Sequence, residues 1–156
     1  MDVIDRLEET PQRVRELIEG RSEEELSFKT ASDAFSLREN LLHLRDIDVE
    51  GYELRVIGLL NERNSEFPDI DGAALARERN YNIQPVAPAM EDFAESRARS
   101  IARLRAMAPE LLERTARIGV RAMSLKGMLQ DWIRHDSEHV AEMTHLAIFR
   151  HPRSGT

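Results

Sequence analysis

The chain has 156 residues, 41% of them hydrophobic and 33% charged, which at ~100–200 residues per domain predicts one globular domain and argues against disorder or a membrane protein. Acidic residues outnumber basic ones 29 to 22, and the net charge of −7 disfavours a nucleic-acid partner, whose phosphates it repels. Cysteine is absent, so disulfides, a thiolate nucleophile and Cys-based metal sites are excluded, and any metal must be held by His, Asp or Glu.

The N-terminus, Met1 to Glu9, carries a charge every few residues and does not read as a signal peptide. No stretch approaches the ~18 consecutive apolar residues of a membrane span, and a cytoplasmic protein is the expectation. The first helical stretch holds Val3, Ile4 and Leu7, is expected to break at Thr10-Pro11, and resumes with Val14, Leu17 and Ile18. Thr10 as N-cap with Pro11 at the first helical position would explain that restart, and Gly20 is placed to end the element. A short helical turn is expected from Ser22 to Leu26.

Ser36-Leu37-Arg38-Glu39 is a capping box, in which hydroxyl and carboxylate each satisfy a free backbone N–H. It opens a long second helix whose stripe is Leu37, Leu41, Leu44, Ile47, Leu54 and Ile57, lasting to about Arg63 and closed by Asn61, Asn64, Ser65 and Pro68. The connection from Phe67 to Gln84 holds one short helix, capped by Asp71 and covering Ala73 to Arg79. A third long helix follows Pro85 and Pro88, with Met90, Phe93, Ile101, Leu104 and Met107 as its apolar positions, and Pro109 ends it or begins a further turn. Glu113 to Ala122 lacks a helical stripe and predicts a loop or short extended piece. Ser124 caps the last helix, which runs through Leu125, Leu129, Trp132, Ile133, Val140, Met143 and Leu146 to about Phe149, with Pro152 beyond it. Four long helices bury their stripes most simply as an all-α, up-down four-helix bundle over residues 1–150, with a longer connection between helices 2 and 3 and a tail at 151–156.

The five histidines stand at 43, 135, 139, 145 and 151. His135 and His139 are four apart on the last helix, which puts both imidazoles on one face within reach of a single metal ion. Such a pair also arises by chance on solvated faces. His43 lies among stripe residues of the second helix, where a lone histidine is usually a buried one with a hydrogen-bond partner. Three such imidazoles on two helices match the His₃ set of an open metal site, with a fourth position for water or substrate.

His135 to His139 also fits the H-x-x-E-H of inverted zinc proteases, but those need a further ligand downstream and only 17 residues follow His139. Glu142 to His145 is an E-x-x-H, the unit of di-iron bundles, yet no second copy exists. His145, six residues beyond His139, rotates off the metal face, and His151 falls in the tail. Asp46, Glu50, Asp136 and Glu142 flank the three histidines and are candidates to orient an imidazole or accept a proton, or are ordinary solvated acids. Trp132 reads as core, and Arg45, Arg55, Arg121 and Arg134 as surface ion-pair partners or anion binders.

The helix opening Ser36-Leu37-Arg38-Glu39-Asn40-Leu41-Leu42-His43-Leu44, with a last helix reading Leu125-x-Gly127-Met128-Leu129-x-x-Trp132-Ile133-x-His135-Asp136-x-x-His139, resembles the DinB/YfiT-like family over nearly the whole chain. The resemblance implies a four-helix bundle, often a homodimer, in which His43, His135 and His139 hold a divalent ion, usually nickel or zinc. It also implies a small-molecule substrate and, in members with assigned chemistry, transfer of a low-molecular-weight thiol, with no action on nucleic acid. Relatives often carry Gln three residues after the last ligand, where this chain has Glu142. The expectation is a metal-dependent thiol transferase, with a metal-dependent hydrolase or a non-catalytic binding protein as the alternatives.

Overall fold

The structure, a computed structural model, describes residues 2–61 and 65–149. Arg63 and Asn64 in the expected end of the second helix, and His151 and Pro152 in the tail, lie outside them. Helix α1 runs unbroken from Val3 to Ile18 with Pro11 inside it, so the expected restart at Thr10 does not occur. Thr10 caps nothing; its hydroxyl donates to the Arg6 carbonyl at 3.3 Å. Proline removes an N–H from the helical ladder and leaves the carbonyl four residues back, that of Leu7, without its usual donor. Arg97 supplies one from another helix, Nη1 to Leu7 O at 2.6 Å, and the break is avoided.

Gly20, at φ 71°, ends α1 where a side chain would be strained. A capping box between Ser22 and Glu25 starts the short helix α2, Glu23–Ser27. The second long helix starts at its predicted box, with Ser36 and Glu39 bonded reciprocally. It is built of α3 (Leu37–Asp46), a π-helical segment (Ile47–Tyr52) and α4 (Glu53–Asn61). The wider turns of the π segment rotate everything beyond it around the axis. Leu54, expected in the stripe, is therefore 51% exposed, while Tyr52, Val56 and Leu59 are buried in its stead.

Asp71 caps α5 (Gly72–Glu78) as predicted, accepting from Ala74 N at 3.0 Å. The third long helix is α6 (Val86–Ala106), and the fourth, α7 (Leu125–Leu146), starts where Ser124 accepts from Gly127 N. The segment between them, expected as a loop or short extended piece, is extended: β2 (Thr115–Ile118) and β3 (Arg121–Ser124) form an antiparallel hairpin. Strand β1 (Ser65–Phe67) adds to β2 in parallel, making a three-stranded sheet beside the helices where the sequence reading had none. Strands this short carry too few alternating residues to register as a pattern.

Helix α1 packs on α6 and α7, and α3 packs on α6 and α7 as well, while α1 and α3 touch only slightly. In a simple up-down bundle chain-adjacent helices lie side by side; here the connection containing α2 carries the chain across, so the expected up-down order is not the one the packing follows. Two apolar clusters fill the bundle. One holds Val14, Leu41, Leu44, Phe93 and Met143, the other Leu7, Val56, Leu104, Leu125, Met128 and Trp132. Each such side chain contributes ~1.5–3 kcal/mol by leaving water.

Between Phe93 of the first cluster and Trp132 of the second sits the guanidinium of Arg97, 5.1 and 4.8 Å from their ring centres. It forms two-pronged pairs with Asp48 (2.9 and 2.9 Å) and Asp136 (2.7 and 3.0 Å), all three residues being buried. Trp132 Nε1 donates to the same Asp48 at 3.2 Å. Burial raises the pKa of Asp48, and the charge of Asp136 adds to the rise, whereas Arg97 opposes it. None of the described helices is long and apolar enough to cross a membrane.

Candidate metal centre

His43 comes from α3 and His135 and His139 from α7, and one ring nitrogen from each lies within 4.8 Å of the other two. Ring centres are separated by 5.1 Å (His43–His135), 4.5 Å (His43–His139) and 4.6 Å (His135–His139). The sequence-predicted set thus converges. His145 is exposed on α7, packed edge-on against Phe149 and away from the cluster.

The rings are held from several sides. Phe35 lies 5.4 Å from His43 and 6.3 Å from His139, and Tyr52 lies 6.1 Å from His135. Tyr52 reaches that place because the π segment turns it inward, where it stacks on Trp132 at 4.4 Å with planes 6° apart. Gly72, the first residue of α5, backs onto the His43 ring so closely that an added Cβ would stand 2.3 Å from its Cε1. The connection between β1 and α5 is thereby pressed against the site.

Asn40, fully buried one turn before His43, orients His139. Its Nδ2 donates to the Ser36 carbonyl at 2.9 Å, so its Oδ1 faces His139 and accepts from Nδ1–H at 2.7 Å. That bond fixes the tautomer and leaves Nε2 of His139 with its lone pair free. His43 and His135 meet through their Nε2 atoms at 2.9 Å, and Nδ1 of both rings is buried without a partner among the described residues. Burial lowers the pKa of His43 to about 3 and of His135 to about 2, each pushed further by the charge of His139; His139 itself is lowered chiefly by burial. Three imidazoles that burial keeps neutral, with converging ring nitrogens and too few protein partners, are a donor set suited to a divalent metal ion.

The four flanking acids divide. Glu142 alone approaches a ring, 3.9 Å from His139 Nδ1, and burial raises its pKa. Asp136 points away from the histidines to Arg97. Asp46 and Glu50 grip Arg79, at 2.8 Å and at 2.6 and 2.9 Å, and Tyr81 donates to Asp46, so these two tie the connection after α5 to α3 and the π segment. Glu138, the acid of the protease-like pattern, faces solvent and pairs with Arg134 at 3.0 Å. Sequence reasoning did not single out Asn40, although an Asn three residues before a helical His shares its face. Arg97 gave no local sign at all, since its partners lie on other helices.

The chain matches the DinB superfamily over residues 6–143. Among solved structures it is similar to YfiT from Bacillus subtilis, described as a probable metal-dependent hydrolase with an unusual four-helix bundle topology. The TM-score is 0.83 at 20% identity, over 94% of this chain and 84% of that one, a likeness of fold. None of the curated proteins matches the sequence.

Proposed function

The chain belongs to the DinB superfamily, and from that premise we propose that it is a divalent-metal-dependent enzyme that transfers a low-molecular-weight thiol to an electrophilic small molecule. His43, His135 and His139 are its metal ligands, nickel or zinc is the ion, and the protein works as a cytoplasmic homodimer; the choice of ion, thiol and assembly rests on the family resemblance, and the location on the lack of a long apolar stretch. The observation that carries the reading is the convergence of three imidazoles from two helices, His43 and His135 being 92 residues apart in the chain.

Bound there, the ion would supply Lewis acidity and lower the pKa of a thiol or water that reaches it. The chain's own part is to keep the imidazoles unprotonated by burial, to hold His139 in one tautomer through Asn40, and to keep water off the rings with Phe35 and Tyr52. Having no cysteine, the protein must take its thiol from a cosubstrate.

The test is metal content of protein purified without chelator, beside His43→Ala and His139→Ala, followed by a screen of thiols against electrophiles on the metal-loaded protein. The expected result is near-stoichiometric metal lost in both variants and turnover that needs both thiol and ion. Equal metal in all three proteins overturns the site. A second reading, a metal-dependent hydrolase, is favoured by the likeness to YfiT; ester or amide cleavage without thiol in the same screen would select it. Metal binding without any turnover would point to a binding protein.

A further inference from the structure

The deeply buried arginines of this bundle are committed, with one exception. Arg97 is paired to two aspartates, and Arg38 donates to the Gln84 carbonyl at 2.6 Å and to Glu23. Arg55 is 8% exposed, yet among the described residues it has no carboxylate within ion-pair distance and no hydrogen-bond acceptor. Its one close polar-to-ring contact is with Tyr52, whose ring centre lies 5.3 Å below its Cζ. Asp69 and Asp131 act on it only through space, and desolvation lowers its pKa. Unlike Nδ1 of His43 and of His135, none of its nitrogens is sealed from solvent, so its five N–H donors are engaged by no protein acceptor and open to an arriving one.

Its surroundings say from where. Tyr52 is 7% exposed and its hydroxyl also has no partner among the described residues. Trp132 covers the Tyr52 ring at 4.4 Å, and the His135 ring stands 6.1 Å from it, so Arg55 is one aromatic ring removed from the histidine cluster. One stretch of chain touches both places: Ile70 Cδ1 lies 3.2 Å, and Arg55 Cζ 3.7 Å, from where a Cβ on Gly51 would be, and Gly72 abuts His43. An unpaired guanidinium over the Tyr52 ring, with that ring 6.1 Å from His135, places a charged end beside a reactive end.

We infer that Arg55, supported by Tyr52, is the anchor for an oxyanion of the substrate, so that the small molecule acted on at the three-histidine centre carries a carboxylate or phosphate group away from its reacting atom. A planar guanidinium matches either group with two parallel hydrogen bonds. The inference rests on the proposed function for the identity of the reactive end, and the anion site itself stands without the metal.

The test is therefore run first on metal-free protein, following the Arg55 side-chain N–H signal by NMR during titration with inorganic phosphate and, separately, acetate. Saturable binding is expected, weakened about tenfold or more in Arg55→Gln, weakened less in Arg55→Lys, which keeps the charge but loses the two-pronged fork, and unchanged in Arg134→Gln, an exposed arginine. The phosphate and acetate arms show which group is preferred. Failure of both anions to bind, or equal binding by Arg55→Gln with an unchanged fold by circular dichroism, overturns the inference while leaving the metal measurements untouched. With an active substrate in hand, Arg55→Gln raises KM far more than it lowers kcat; an unchanged KM overturns it too.

Discussion

Arg97 donates to the carbonyl of Leu7 at 2.6 Å, the group that Pro11 leaves without a helical donor. The same guanidinium neutralises Asp48 and Asp136, so one side chain of α6 joins α1, the π segment and α7. Removing one member of such a buried network leaves charges uncompensated, which costs ~3–5 kcal/mol. Arg97→Met is expected to lose that much in urea unfolding. Pro11→Ala restores the missing N–H, so the Arg97→Met loss should shrink by ~0.5–1.5 kcal/mol in the Pro11→Ala background. Strict additivity of the two changes would show that the Leu7 carbonyl is not what couples them.

Asn40 is the only described side chain within hydrogen-bond distance of His139. Asn40→Leu keeps the volume and removes the acceptor, leaving the ring free to turn. Metal affinity, read by competition with a chromophoric chelator, should fall ~10–100-fold. An unchanged affinity with an intact melting transition would show that packing alone orients the ring.

Gly72 and Gly127 should respond with opposite sign. A Cβ at Gly72 meets His43 Cε1 at 2.3 Å, so Gly72→Ala must displace either the ring or the start of α5, at ~1–3 kcal/mol. Its metal affinity should fall as well. At Gly127, inside α7, the nearest atom is Ser124 Oγ at 3.4 Å, and Gly127→Ala should stabilise by ~0.5–1 kcal/mol through the unfolded chain. Thermal melts of both variants check the pair.

Glu53 sets an acid limit. It accepts from Ser96 Oγ and Arg99 Nε at 2.7 Å each and from Arg103 at 3.2 Å, and the bond from Arg99, with the others, holds its pKa below the usual range against the desolvation that opposes it. A carboxyl with a depressed folded pKa contributes stability above its unfolded pKa and loses it as pH falls through the folded value. The urea midpoint should therefore drop from about pH 5 downward, and drop less in Glu53→Gln. Because Arg99 and Arg103 are 49% and 38% exposed, solvent screens their share, and Glu53→Gln should lose only ~1 kcal/mol at pH 7. Parallel pH curves for the two proteins would refute this.

The candidate site was legible to the extent that its determinants are local. His135 and His139 are neighbours by helical spacing alone, and Ser36, Asp71 and Ser124 announce helix starts through bonds that reach no further than three residues. His43 drew attention by its place in an apolar stripe. The Asn40 bond was legible in principle, since it needs only the facing of α3 and α7, but nothing marks which of the polar residues on that face turns inward.

The sequence by itself determined a helical bundle and the three histidines most suited to share an ion, because periodicity, caps and the i, i+4 relation act within a turn or so of helix. Tertiary structure decided whether Pro11 breaks a helix, since the donor for Leu7 lies 90 residues away on α6. It decided the π turn that buries Tyr52 and exposes Leu54, the pairing of β1 with β2, and the order of helices around the bundle. It also left Arg55 largely buried without a carboxylate at ion-pair distance among the described residues, a property that belongs to no residue alone but to what the rest of the chain places, or fails to place, around it.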